Sequence, residues 1–217
     1  MSTIKILPNK LVNVNNIFCV GKNYELHAKE MGGSKPIEPV IFLKPNSAII
    51  NNNSKITLPT ISKNIHHEVE LVLLIGKNGK NIPKENALEY ISGYAVGLDL
   101  TMRDIQTEAK NSGNPWAIAK GFDYSAPISD FIDSSLIKNP NNLSVNLKVN
   151  GTIRQTGNIP DMIFSVEEII SYLSNIFTLN CGDLIYTGTP EGVAQIKSGD
   201  KLNAELVDFT NLEITIE

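Results

Sequence analysis

The chain has 217 residues, a formal net charge of −4 and a sequence pI near 5.5, with its lysines scattered singly. It is long enough to bury one sizeable core, and it lacks the basic stripe that a nucleic-acid backbone requires. Its 41% hydrophobic and 19% charged residues are those of an ordinary globular protein, and two distant cysteines, Cys19 and Cys181, speak against a disulfide framework or a zinc site.

The opening "MSTIKILPNK" has no apolar core of signal-peptide length and is not Arg-rich. No apolar run approaches the roughly 20 residues that a membrane span needs. Together with the unpaired cysteines, this gives a cytoplasmic expectation with no membrane partner. The first strand signal is "NIFCVG" (16–21), followed by a helical pattern, "NYELHAKEMG" (23–32), closed by Gly32. "PVIFLKP" (39–45) reads as a strand and "NNNSK" (51–55) as a short loop. "EVELVLLIG" (68–76) and "SGYAVGLDL" (92–100) are strands around a helical "KENALEYI" (84–91). A third helix is expected over "TMRDIQTEAKN" (101–111). "LSVNLKVNG" (143–151) runs into a hairpin turned at Asn150-Gly151. "SVEEIISYLSNIF" (165–177) opens on a capping box, Ser165 with Glu168. "GDLIYTG" (182–188), "DKLNAELV" (200–207) and "LEITIE" (212–217) complete a pattern that is mainly β with short helices. The long separations between strands favour a closed or rolled sheet in one domain, 1–217.

Glu68 and Glu70 lie two residues apart in a strand that continues as "LVLLIG", so alternation puts both on one face. Burying two like charges costs several kcal/mol. Either the pair shares a proton, or a cation lies between them, or both are half-exposed and solvated. Asp99, at the end of another apolar strand, is a third candidate, and three carboxylates suit a hard divalent ion such as Mg²⁺, Mn²⁺ or Ca²⁺. Such an ion needs no imidazole, so His66 and His67 read as structural or supporting residues.

"HAKEM" puts His27 and Glu30 at i,i+3 on one helical face. They form either a general base oriented by a carboxylate or a pair sharing a wet surface. Lys120, alone in "PWAIAKGF", is either a snorkelling surface lysine or a cation aimed at acids and an anionic substrate. Thr189 in "YTGTP" offers a hydroxyl on a small-residue turn, which on its own is an ordinary turn motif.

Taken in order, "GKNYELHAKEM", "HHEVELVLLIG", "GYAVGLDLTMRDIQ", "PWAIAKGFD", "LKVNGTIRQTG" and "GDLIYTGTPEGV" resemble the fumarylacetoacetate hydrolase family. The likeness is to its short acylpyruvase branch and runs over residues 16–207. The resemblance implies a mixed β-roll and a homodimer. It implies that Glu68, Glu70 and Asp99 bind Mg²⁺ or Mn²⁺, that His27 and Glu30 form an acid–base dyad on a lid helix, and that Lys120 is the active-site lysine. Gln106 and Thr189 match substrate-contacting positions, with Arg103 in the same motif and partly structural. Lys22 falls in the substrate-binding set too, at a position where arginine is commoner, keeping the charge that would anchor a substrate carboxylate but losing the bidentate fork. The implied chemistry is metal-dependent cleavage of a C–C bond in acylpyruvate-type β-diketo acids through an enolate. Oxaloacetate decarboxylation or tautomerisation, and isomerisation–decarboxylation of ring-cleavage products, are the alternatives. All take a small 2-oxo acid as partner.

Overall fold

The run "VELVLLI" is buried at every position, which happens when both faces of a sheet are covered. A computed structural model describes residues 2–217. The chain opens with a hairpin of β1 (Thr3–Ile6) and β2 (Lys10–Asn13), then β3 (Ile17–Gly21) and helix α1 (Glu25–Glu30). β4 (Val40–Lys44), β5 (Ile49–Asn51), β6 (Ser54–Ile56) and β7 (Ile65–His66) lead into β8 (Val69–Ile75). Next come β9 (Ile91–Leu98), β10 (Thr101–Met102), α2 (Arg103–Asn111) and α3 (Ala117–Lys120). β11 (Ala126–Ile128) and β12 (Ile132–Asp133) precede the hairpin of β13 (Ser144–Val149) and β14 (Thr152–Asn158). α4 (Val166–Ile176), β15 (Leu184–Tyr186), β16 (Lys201–Leu206) and β17 (Thr210–Ile216) finish the chain.

Two mixed sheets build the roll. The larger runs β4-β3-β15-β8-β9-β11-β5, with β12 also on β9, and the smaller runs β14-β13-β16-β17-β6. β15 lies parallel to β3 and antiparallel to β8, a mixture that only distant strands can produce. Val69, Leu71, Leu73 and Ile75 pack towards Val145, Leu147 and Leu202 of the smaller sheet and towards Ile169 and Leu173 of α4. Val72 and Leu74, on the opposite face, join Ile4, Ile17, Phe131 and Tyr186. Glu68 and Glu70 share the parity of that second face, at the end where its apolar cover stops.

The expected strands are present, and the capping box on α4 is formed. Asn150 and Gly151, at φ 52° and 80°, make the β13–β14 turn in the left-handed region. Several expectations need correction. Residues 84–90 form a 3-10 stretch rather than an α-helix. α2 starts at Arg103 because Thr101 and Met102 pair with His66 and Ile65 as strand. The loop expected at 51–55 is largely strand, turned at Asn53 with φ 61°. The β1–β2 hairpin and α3 had no counterpart in the sequence reading, being too short to show a period.

Candidate metal centre and active-site cavity

The acids meet because β8 and β9 are antiparallel neighbours. Glu70 lies opposite Gly97, and Asp99 N–H donates to Glu68 C=O at 2.8 Å just beyond the paired residues. Glu68, Glu70 and Asp99 are each at least 96% buried, at 4%, 2% and 1% exposure, and one oxygen from each falls within 4.8 Å of the others. Solvated acids on separate surfaces are therefore excluded.

Cations from three other elements face them. Lys120, at the end of α3, places Nζ 2.7 Å from Glu68 Oε2 and 2.5 Å from Asp99 Oδ2. Arg103, the first residue of α2, pairs with Glu68 and donates to Gln106 Oε1 at 2.8 Å. Lys44, at the end of β4, brings Nζ to 2.8 Å from Asp99 Oδ1. That approach lacks hydrogen-bond alignment, so Asp99 Oδ1 is buried without a donor. Burial works to raise the Glu68 carboxyl, but Lys120 and Arg103 hold it well below its usual range. Glu70 goes the other way, because burial and then Asp99 and Glu68 push it up. Burial works to lower Lys120, yet Asp99 and Glu68 outweigh it and carry the ammonium to about 12.

The donor set fits a hard divalent ion. It is three buried carboxylates on one side of a void, with Asp99 Oδ1 beside the Lys44 ammonium but without an aligned donor, and with Glu70 pushed towards its neutral form by burial and then by the other two acids. Among the described residues no imidazole nitrogen joins the three carboxylates as a ligand atom. His66 Nε2 bonds Asn64 Oδ1 at 2.9 Å, and burial, then Arg103, lowers that ring to about 4.

All the expected site residues except Glu30 line one cavity of about 30 Å³, room for roughly two waters. Glu30 backs it: its Oε2 accepts from His27 Nδ1 at 3.1 Å, and its Oε1 accepts from Gly192 N–H at 3.1 Å. His27 is 5% exposed, so the pair does not share a wet surface. Nδ1 is committed to Glu30, which leaves Nε2 as the ring nitrogen for proton transfer.

Four residues of this neighbourhood escaped the sequence reading. Lys44 also bonds Ser125 Oγ at 2.9 Å, tying Asp99 to the turn after α3. Gln155, on β14, is 1% exposed and engages both ends of its amide. Its Oε1 accepts from Val69 N–H at 3.1 Å and from His67 Nδ1 at 2.9 Å, while its Nε2 donates to Thr189 Oγ1 at 2.8 Å and Pro190 C=O at 2.9 Å. Thr189 thus accepts from Gln155, and its hydroxyl hydrogen is left for an acceptor in the cavity. Asn23 roots α1, donating to Thr187 C=O at 2.8 Å and accepting from Phe164 N–H at 2.8 Å. Gly188 permits that contact: its φ is +103°, and a Cβ there would sit 2.6 Å from Asn23 Cβ. Its N–H also donates to Glu70 Oε2 at 2.7 Å. Lys110 is the fourth, lining the cavity from α2. The available signal was a lysine ending a short apolar β run for Lys44 and helical spacing from Arg103 for Lys110, whereas Gln155 stands between polar neighbours that hide it.

Comparison with known proteins gives a consistent picture. The chain matches the family model described as fumarylacetoacetate (FAA) hydrolase C-terminal over residues 16–217. An oxaloacetate tautomerase of Arabidopsis thaliana, named as mitochondrial, is 48% identical over 201 residues, covering 93% of this chain and 90% of the relative. The crystal structure of fumarylpyruvate hydrolase from Pseudomonas aeruginosa in complex with Mn²⁺ and pyruvate matches with a TM-score of 0.95 at 39% identity, covering 99% of this chain and 95% of that one. A 5-carboxymethyl-2-hydroxymuconate delta-isomerase from Mycobacterium smegmatis matches at 0.84 with 36% identity, covering 98% and 81%. A match that runs from residue 16 to residue 217, with a relative covered over 90% of its length, makes the chain a member of the fumarylacetoacetate hydrolase family.

Proposed function

We propose that this chain is a divalent-metal-dependent enzyme, one catalytic domain over residues 1–217, that works on small 2-oxo acids through their enolates. Its reaction on this reading is hydrolytic cleavage of a C–C bond in acylpyruvates. The observation that carries the reading is one small cavity with the His27–Glu30 pair on one wall and three buried acids with Lys120 on another. Glu68, Glu70 and Asp99 would hold Mg²⁺ or Mn²⁺, with Ca²⁺ suiting the same oxygens, and the bound ion supplies positive charge against an enolate and a carboxylate.

The chain's own residues do the rest. His27 Nε2 takes a proton from a water whose oxygen adds to the distal carbonyl carbon. Glu30 holds the ring and stabilises its cation. The bond from that carbon to C3 breaks, its electron pair passes into the 2-oxo acid fragment as an enolate, and His27 returns the proton to C3. A carboxylic acid and a 2-oxo acid leave. The Lys120 ammonium faces the developing charge. Thr189 donates its free hydroxyl hydrogen. Gln106 gives Oε1 to Arg103 and so offers Nε2 to the substrate. The cavity has room for roughly two waters, so on this reading substrate entry requires α1 to lift from Gly192.

A second reading, keto–enol tautomerisation of oxaloacetate, is favoured by the 48% identity to a tautomerase over 90% of its length. There His27 moves a proton at C3 and no water attacks. Acetylpyruvate and oxaloacetate assayed side by side, with Mg²⁺ and after chelation, test both readings. Activity undiminished by chelation contradicts the metal role.

A homodimer and a cytoplasmic location belong to the same proposal. The edge strand β4 and its neighbours expose Leu43 and Ile118, at 47% and 65%, which supports a second copy docking there. Light scattering that returns the 23.8 kDa monomer mass counts against the dimer. Among the described residues no helix is long and apolar enough to cross a membrane.

A further inference from the structure

Phe42 and Lys44 stand two residues apart on β4 and share one of its faces. Phe42 lines the active-site cavity, with Lys120 Nζ 4.9 Å from its ring centroid. Lys44 does not line it, and its side chain is fully buried behind that wall. Five oxygens surround its ammonium: Asp99 Oδ1 at 2.8 Å, Ser125 Oγ at 2.9 Å, Ser125 C=O at 3.0 Å, Leu100 C=O at 3.4 Å, and Lys120 C=O. An ammonium has three protons and cannot bond all of them. Such a socket suits a compact cation held by carbonyl and carboxylate oxygens, as a dehydrated potassium ion is held.

The socket joins separate elements. Asp99 and Leu100 follow β9, Lys120 ends α3, and Ser125 stands in the turn beyond it. A four-residue helix has too few internal hydrogen bonds to hold its own end. The end of α3 is held from outside instead, because Lys120 C=O accepts from Lys44 Nζ and, at 2.8 Å, from Ser125 Oγ. Gly121 permits the approach, since a Cβ there would sit 2.9 Å from Cδ of Pro45, the residue after Lys44. The same ammonium stands at Asp99 Oδ1, while Asp99 Oδ2 meets Lys120 Nζ at 2.5 Å. Lys44 therefore touches both members of the Asp99–Lys120 pair, one at its carboxylate and the other at its backbone.

We infer that Lys44 is a positioning residue that serves as a built-in monovalent cation. Its charge, held in this socket of oxygens, keeps Asp99 and Lys120 in working register and makes a bound alkali ion unnecessary. The inference rests on the roles proposed above for Asp99 and Lys120 in the 2-oxo acid reaction.

The test compares the wild type, Lys44→Ala and Lys44→Met in KCl, NH₄Cl and choline chloride at equal ionic strength. Alanine empties the socket, whereas methionine fills it without charge. Melting of the metal-free protein is one readout, and kcat and KM on acetylpyruvate and oxaloacetate with Mg²⁺ are the other. The wild type should respond alike to all three salts. Lys44→Ala should melt about 10 °C lower in choline chloride, as loss of one partner of a buried pair gives. KCl and NH₄Cl should recover much of that loss, because K⁺ and NH₄⁺ fit the vacated oxygens and choline does not. In choline chloride its kcat should fall about ten-fold or more and KM stay within about two-fold, since Lys44 does not touch substrate; K⁺ or NH₄⁺ should raise kcat again. Lys44→Met should lose kcat to the same degree and recover in no salt. Absence of recovery of Lys44→Ala in both KCl and NH₄Cl, or the same salt response in the wild type, overturns the built-in cation. So does a Lys44→Met variant that keeps wild-type kcat or whose loss lies in KM, and this arm decides if Lys44→Ala does not fold. A wild type inactive on both substrates defeats the 2-oxo acid reading instead, and the melting series then decides the socket.

Discussion

Gln155 holds the site together without carrying charge. It joins strand β8, His67, Thr189 and the Pro190 turn through a single amide. Gln155→Leu leaves buried donors and acceptors unpaired, and should cost about 3 kcal/mol in urea unfolding. A loss under 0.5 kcal/mol (about half of one ordinary hydrogen bond) contradicts that role. His27→Ala should reduce acylpyruvate hydrolysis by about a hundred-fold or more. Oxaloacetate decarboxylation, which needs no activated water, should fall less, and equal losses in both reactions count against His27 as the base for water. The acids were legible as residues because charges in "EVELVLLIG" and in "AVGLDL" violate the local pattern. Gln155 was not, because "TIRQTG" alternates polar with polar and nothing marks the one side chain that turns inward.

At the scale of elements, α2 matters most because it carries Arg103, Gln106 and Lys110. Its entry is fixed by Asp104, which accepts from Ser62 Oγ at 2.6 Å, Lys63 N–H at 2.8 Å and Ile105 N–H at 2.9 Å. Burial works to raise the Asp104 carboxyl, but those hydrogen bonds hold it below its ordinary value. A carboxyl depressed by folding stabilises the native state fully above its unfolded pKa of about 3.9 and loses that contribution as pH falls through the folded value. Asp104→Asn should therefore lower Tm at neutral pH, and the gap to the wild type should narrow as pH falls below the unfolded pKa of about 3.9 and through the lower folded value. A gap that persists unchanged in acid contradicts the assignment. Long periodic elements such as β8 and α4 could be read directly from the sequence. The 3-10 stretch at 84–90 shares its spacing of apolar residues with an α-helix, and the hairpin at residues 3–13 is too short for alternation to stand out.

On the scale of the whole molecule, pairing between distant strands makes the centre. β8 sits between β15 and β9, and β15 in turn pairs with β3, so residues 17–21, 69–75, 91–98 and 184–186 form one surface. That adjacency sets the acids of β8 and β9 beside Thr189 after β15 and beneath α1 after β3. Composition and alternation point to a roll, but strand order depends on long-range packing that no local pattern records. Kinship to a known family gave what periodicity could not. The direct test of the centre is diffraction at the manganese edge from crystals grown with Mn²⁺. A single anomalous peak per chain is expected between Glu68, Glu70 and Asp99, with Lys120 drawn off at least one carboxylate oxygen. An empty position there at saturating Mn²⁺, with Lys120 still bridging Glu68 and Asp99, would contradict the account.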